Sequence, residues 1–284
     1  MTKKMRISTA GLLLLYAFLI IVLIIALFPI VYAIFGSFKP NAEFVAGGSR
    51  LLPKEWRFEN FKEAWELANF ARYTWNSIFV TAISVVGILF LNSMAGYVFD
   101  RADFPGKKLL LGSFLATMFI STGSITLYPI LQVTKLIGAN KSLWGLIIVY
   151  VFGVNVTNVY LFMGYVRSLP KELDEAATID GCGFFGIYWR IIIPLSKPIL
   201  ATIALLTFKA TWNDYMMPLV FTMSNEKIRT LTVGVVALQN TKDGAAAWNI
   251  MLAGTTISLI PIILVYIFTN QYFISGITAG AIKA

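Results

Sequence analysis

The sequence predicts an all-α, polytopic membrane protein with about six transmembrane helices. Hydrophobic residues make up 58% of the 284 and charged residues only 13%, against roughly 25% charged in soluble domains. Six runs are apolar over about 18 residues or more, the length a spanning helix needs, at 10–35, 75–97, 109–131, 143–166, 199–221 and 248–268. The chain has no His. That removes the commonest metal ligand and the commonest general base, so no metal site is expected and an enzyme is disfavoured. The net charge of +9 is scattered among short loops instead of forming a stripe. Such a balance fits anionic lipid and topology, not nucleic acid. Cys182 is the single cysteine, which excludes an internal disulfide.

Taken in order, Lys3, Lys4 and Arg6 precede the first run with no acid among them, which favours a cytoplasmic N-terminus. The first run is too long for a cleavable signal and is read as a retained span. Six spans return the C-terminus to the cytoplasm. Lys and Arg are equally numerous in the inside and outside segments, so charge counting leaves the orientation to the N-terminal cluster. The segment after the first span is external, and 58–71 places Phe61, Ala64, Trp65 and Ala68 on one helical face. The chain therefore divides into an N-terminal helix with its external segment, 1–74, and a five-helix core, 75–284. In the third run, polar residues cluster at Ser121 to Ser124, with Thr126 and Pro129 beyond. In the fourth, Asn155 and Asn158 lie three apart on one helical face. Polar groups at membrane depth need partners on other helices or a wet cavity, and both explanations stand for these.

The loop 168–198 is too charged to enter a bilayer and reads as two short helices. Pro170 suits a first turn, and Glu172, Asp174 and Glu175 lie where the helix dipole favours acids. Leu173, Ala176, Ala177 and Asp180 share one face, shallow enough at the alanines for another protein to come close. Gly181 or Gly183 ends this helix. A second helix, about 184–193, runs into Pro194.

Glu175-Ala176-Ala177, three intervening residues, Gly181, nine intervening residues and Ile191-x-Ile193-Pro194 resemble the EAA loop of ABC importer membrane subunits. Ile193 stands where that family has Leu. Asp180 before the glycine and Lys197-Pro198 after the loop narrow the likeness to the carbohydrate-uptake permeases of the maltose and oligosaccharide type. The resemblance implies that Glu175, Ala176, Ala177, Asp180, Gly181 and Pro194 couple the chain to ATPase subunits on the cytoplasmic side.

In the fifth run Trp212-Asn213-Asp214 with Pro218-Leu219 is similar to a segment of sugar-uptake permeases. An indole face stacks on sugar C–H surface while amide and carboxylate groups bond hydroxyls. Contact with a partner subunit explains the same residues as well. The ending with Gly276, Gly280 and Lys283 resembles the tail that reaches the ATPase in those permeases, with Ala284 in place of the usual Gly. Asn76-Ser77 also resembles their pattern.

The resemblance implies a subunit of an ATP-driven sugar importer in the cell membrane. Its expected partners are a second permease, two ATPase subunits, an extracytoplasmic sugar-binding protein and membrane lipid. The chain has no G-x-x-x-x-G-K-[ST] pattern to cradle phosphates, so no cofactor is expected on it, with ATP and Mg on the partner subunits. An ion-coupled secondary transporter would use Lys209 and Asp214 but leaves the loop without a purpose.

Overall fold

The computed structural model describes residues 9–47, 50–120, 123–153, 155–239 and 247–281, with side chains except at 45 and 269–281. It is built from helices, and no strand occurs among the described residues. In chain order they are α1 (Thr9–Gly36), α2 (Asn41–Val45), α3 (Glu59–Leu67), α4 (Phe70–Arg101) and α5 (Lys107–Met118). Then come α6 (Leu127–Leu136), α7 (Leu143–Phe152), α8 (Val156–Ser168), α9 (Glu172–Ile179) and α10 (Phe184–Ile187). α11 (Ile193–Leu195), α12 (Lys197–Asn213), α13 (Met216–Thr222), α14 (Leu231–Ala237) and α15 (Trp248–Ala281) complete the chain. Among the described residues, three helices are long and apolar enough to span alone: Thr9–Gly36, Phe70–Arg101 and Trp248–Phe268. Two bent pairs, α7 with α8 and Phe184–Leu195 with α12, bring the number to five if each pair is counted as one span. The protein is an all-α, multi-pass membrane protein.

The remaining expected span, 109–131, is not one helix. α5 stops at Met118, a 3₁₀ turn occupies Gly123–Thr126, and α6 starts at Leu127. Gly123 takes a left-handed φ of 52°, which interrupts the α ladder, and Pro129 falls in the first turn of α6, where a missing N–H costs least. The expected fifth span, 199–221, also breaks. α12 ends at Asn213, Asp214 is extended (φ −65°, ψ 133°), and α13 begins at Met216.

The chain forms two compact units, 1–68 with 235–259, and 69–234 with 260–284. In the first, α1 is apolar all round and has no buried residue in its apolar window, as suits a helix covered by lipid or another chain. Lys39 is 0% exposed. Its ammonium pairs with Glu43 at 3.6 Å, bonds the Arg50 carbonyl, and lies 5.5 Å from the Tyr32 ring. Asn60 donates to the carbonyls of Ser37 (2.8 Å) and Lys39 (2.9 Å) and accepts from Asn249 at 2.9 Å. The helical face expected at 58–71 is rotated. Asn60, Ala64 and Ala68 are buried while Trp65 is exposed, because the inward position at the helix start belongs to the bonded amide. Asn69 turns left-handed (φ 45°) and separates α3 from α4.

The second unit is organised around α4, which packs against α7, α8 and α12. At Gly96 a Cβ would lie 2.9 Å from the Val159 carbonyl and 3.0 Å from the Met163 nitrogen. The backbones of α4 and α8 meet there, and only glycine allows it. Asn76 donates to the carbonyls of Lys227 (3.0 Å) and Arg229 (2.9 Å), and Ser77 accepts from the Leu231 N–H at 2.8 Å. This pair therefore fastens the segment before α14 to the start of α4.

Candidate functional site

The loop 168–198 is folded onto the spans. α8 ends at Ser168, Leu169 and Pro170 are a short connection, and α9 starts at Glu172, two residues beyond Pro170, with Glu172, Asp174 and Glu175 in its first turn. Its far end is a complete Schellman cap. The Gly181 N–H donates to the Thr178 carbonyl (3.0 Å) and the Cys182 N–H to the Ala177 carbonyl (2.9 Å), with Gly181 at φ 82°. Gly183 is extended and opens α10. Gly181 thus makes the left-handed turn. A π-helical turn, Tyr188–Ile192, lies between α10 and α11. Pro194 explains it: the ring has no N–H and crowds the carbonyl four residues back, at Arg190, which a widened turn relieves. The helix thus continues past the expected stop at Pro194 to Leu195, then bends by 79° into α12.

Ala177 is 6% exposed and belongs to a core with Tyr97, Phe162, Val166, Ile187, Tyr188 and Ile192, against which Cys182 packs. Ala176 is exposed. The two alanines therefore separate: Ala177 seats α9 on its own chain, and Ala176 stays at the surface with Glu175 and Asp180. Beside them Ile179 is 87% exposed and Phe185 59%. These two apolar side chains were not singled out from the sequence. Their signal was an apolar residue on the polar side of a short helix, and another just after the glycine stop.

Three residues of α4 at helical repeat meet the loop. Ser93 shares a hydrogen bond with the Tyr188 hydroxyl (2.8 Å), and Tyr97 donates to the Phe184 carbonyl (3.1 Å) with its ring 4.6 Å from that of Phe184. Arg101 meets Asp174 at 2.6 Å and Asp100 at 3.1 Å, and donates to the Leu169 carbonyl at 3.1 Å. Asp100 also pairs with Arg167 at 3.1 Å.

The other sequence candidates do not converge on one polar lumen. Asn155 caps α8, accepting from the Asn158 N–H at 3.1 Å. Asn158 is buried and donates to Thr207 at 3.3 Å, a bond between helices. Trp212 is buried, stacks on Phe208 with centroids 5.5 Å apart, and accepts from Thr232 at its carbonyl (2.9 Å). It lines an apolar groove with Ile78, Thr81, Val85, Phe208 and Leu264. Asn213 is exposed and folds back to the Lys209 carbonyl at 2.9 Å. Asp214 accepts from the Tyr150 hydroxyl (2.7 Å) and from the Met217 N–H (3.4 Å), so it ties α7 to the start of α13. Gly276 and Gly280 lie in the last part of α15, where side chains are not described, and Lys283 falls outside the described residues.

Tyr150→Phe and Asp214→Ala are each expected to lower stability by about 1–3 kcal/mol, since each removes a half-buried hydrogen bond to a charged group. The double variant should cost less than the sum, since both remove one bond. Thermal unfolding in detergent measures this, and strict additivity would contradict the assignment.

Residues 104–278 match the family of binding-protein-dependent transport system inner membrane components. The chain is 34% identical over 268 residues to the probable ABC transporter permease protein YurM of Bacillus subtilis, covering 94% of this chain and 87% of that one. It is 33% identical to the arabinooligosaccharides transport system permease protein AraQ of Halalkalibacterium halodurans, covering 91% and 92%. A crystal structure of a bacterial ABC transporter involved in import of the acidic polysaccharide alginate contains a chain of the same fold. The TM-score is 0.79 and the identity 27%, over 96% of this chain and 100% of that one. With its loop packed on α4 and its bent membrane helices, the chain belongs to the family of binding-protein-dependent transport system inner membrane components.

Proposed function

We propose that this chain is a permease subunit of an ATP-driven importer that moves an oligosaccharide into the cytoplasm. Family membership carries the transport role, and relatives such as AraQ are named for oligosaccharide transport. The single structural observation behind the coupling role is the loop 168–198. It is charged, capped and packed, yet presents Ile179 and Phe185 to solvent. Two exposed apolar side chains on a charged loop outside the spans fit a surface that a protein partner covers. ATPase subunits dock there, a second permease completes the pore, and an extracytoplasmic binding protein delivers the sugar. ATP and Mg act on the ATPase subunits. Asn158 and Asp214, which bond across helices, shape the path together with Trp212, Asn213 and Asn155. The tail with Gly276, Gly280 and Lys283 extends toward the ATPase.

Membership of the binding-protein-dependent family weighs against the ion-coupled alternative, and Asp214 has a structural role in bonding Tyr150 and the Met217 N–H. In proteoliposomes with the partner subunits and the sugar-loaded binding protein, uptake should require ATP and persist when ion gradients are collapsed. Uptake driven by an ion gradient without ATP would refute the proposal.

Both termini are cytoplasmic in this reading. In a Cys182→Ser background, Glu63→Cys, an exposed site on α3, should react with an impermeant thiol reagent in intact cells. Asp103→Cys, fully exposed between α4 and α5, should react only after the membrane is opened. The reverse pattern would invert the topology.

A further inference from the structure

Arg101 is the last residue of α4, the helix around which the second unit is built, and its side chain is 6% exposed. Three groups from three stretches of chain meet its guanidinium: Asp174 of α9 at 2.6 Å, Asp100 of α4 at 3.1 Å, and the carbonyl of Leu169, which caps the end of α8, at 3.1 Å. The placement suits all of them. A cation lies at the C-terminal ends of α4 and α8, where carbonyls lack helical partners, and faces an acid in the first turn of α9. The planar guanidinium sends Nη1 to Asp100 and Nη2 to the Leu169 carbonyl while its Nε lies in a close ion pair with Asp174; a lysine ammonium carries its three donors on one atom and does not reproduce that spread. Ser93 and Tyr97 precede Arg101 by two turns and one turn on the same stripe of α4, and each also bonds the loop. The loop is thereby fastened to one helix along three successive turns.

We propose that Arg101 is a positioning residue for coupling. It holds α9 to α4, so that displacement of the docked loop moves α4, and with it α7, α8 and α12, as one piece. This rests on the reading that ATPase subunits dock on the loop. Asp174 is the half of the clamp that faces α4, whereas Ile179, Ala176 and Phe185 face outward. Docking and transmission are therefore carried by different side chains and can be separated.

The test uses the assembled complex with its ATPase subunits and sugar-loaded binding protein. Asp174→Asn is the mildest variant, because Arg101 keeps Asp100 and the Leu169 carbonyl. Arg101→Gln removes the fork, and Arg101→Lys keeps the charge without it. The expected result is that the ATPase still co-purifies with Asp174→Asn, while sugar transported per ATP hydrolysed falls at least threefold. Arg101→Gln should fall further, with Arg101→Lys between it and wild type. A purely structural tether would lower the amount of complex and leave that ratio unchanged, and an unchanged ratio in both Asp174→Asn and Arg101→Gln would overturn the proposal. So would loss of ATPase docking in Asp174→Asn, since docking would then depend on the clamp. The wild-type complex distinguishes failure of the underlying reading: no ATP-dependent uptake there would overturn both.

Discussion

Ala177→Trp should reduce sugar-stimulated ATP hydrolysis tenfold or more, although Ala177 does not touch the docking surface. Ala177 is buried in the same core cluster as Tyr97, Phe162, Val166, Ile187 and Tyr188. Forcing an indole into such a site costs about 1–3 kcal/mol, and 1.4 kcal/mol is tenfold in an equilibrium. The strain is relieved by lifting α9 from α4 and α8, which misplaces Ala176, Ile179 and Asp180 together. Gly181→Val should act in the same direction for a different reason. No atom lies within 4 Å of a Cβ there, so the penalty is the left-handed backbone at φ 82°, about 1–3 kcal/mol for such strain. Ala176→Ser, at the exposed neighbour, should change either quantity less than twofold. Stimulated hydrolysis and co-purification of the ATPase, measured for all three, check this; equal effects at 176 and 177 would contradict the inward placement of Ala177.

Gly96→Val is the most damaging packing change expected. The new side chain meets the α8 backbone at Val159 and Met163 from 2.9 Å, and backbone cannot rotate away as a side chain can. Separating the two helices would also open the core that holds Phe162 and Val166. The cost is at the upper end of about 1–3 kcal/mol, or beyond it. The variant should accumulate poorly, and what is purified should unfold several degrees lower. Gly112→Val, where a Cβ has no atom within 4 Å, is the matched control on α5 and should be near wild type. A Gly96→Val protein as stable as the control would mean that α4 and α8 do not cross there.

What the sequence revealed follows from range. The apolar runs, the acidic first turn of α9 and the glycine that ends it are local patterns. Periodicity and capping residues report them directly. The clamp was invisible because Arg101 and Leu169 are 68 residues apart, and no spacing rule links an arginine after one span to a loop after another. Lys39 shows the same limit: its burial depends on Tyr32, Glu43, Phe44 and the Arg50 carbonyl closing around it. The breaks at Gly123 and Asp214 lay inside runs apolar enough to pass as single helices. Hydropathy averages over such residues, while helix geometry responds to each one. Ala176 and Ala177 are adjacent on the helix, and which of them faces inward depended on where α4 and α8 stand.

Under the proposed function, the ATPase docks on the loop 168–198, with α9 presenting its outer face. In a Cys182→Ser background, Ile179→Cys carrying a disulfide-containing thiol-to-amine cross-linker should link to the ATPase subunit in the assembled complex and block stimulated hydrolysis. A reducing agent should restore it. Leu52→Cys, exposed in the segment assigned to the opposite side, should form no such link. Failure of Ile179→Cys to reach the ATPase, with Leu52→Cys reaching it instead, would contradict the account.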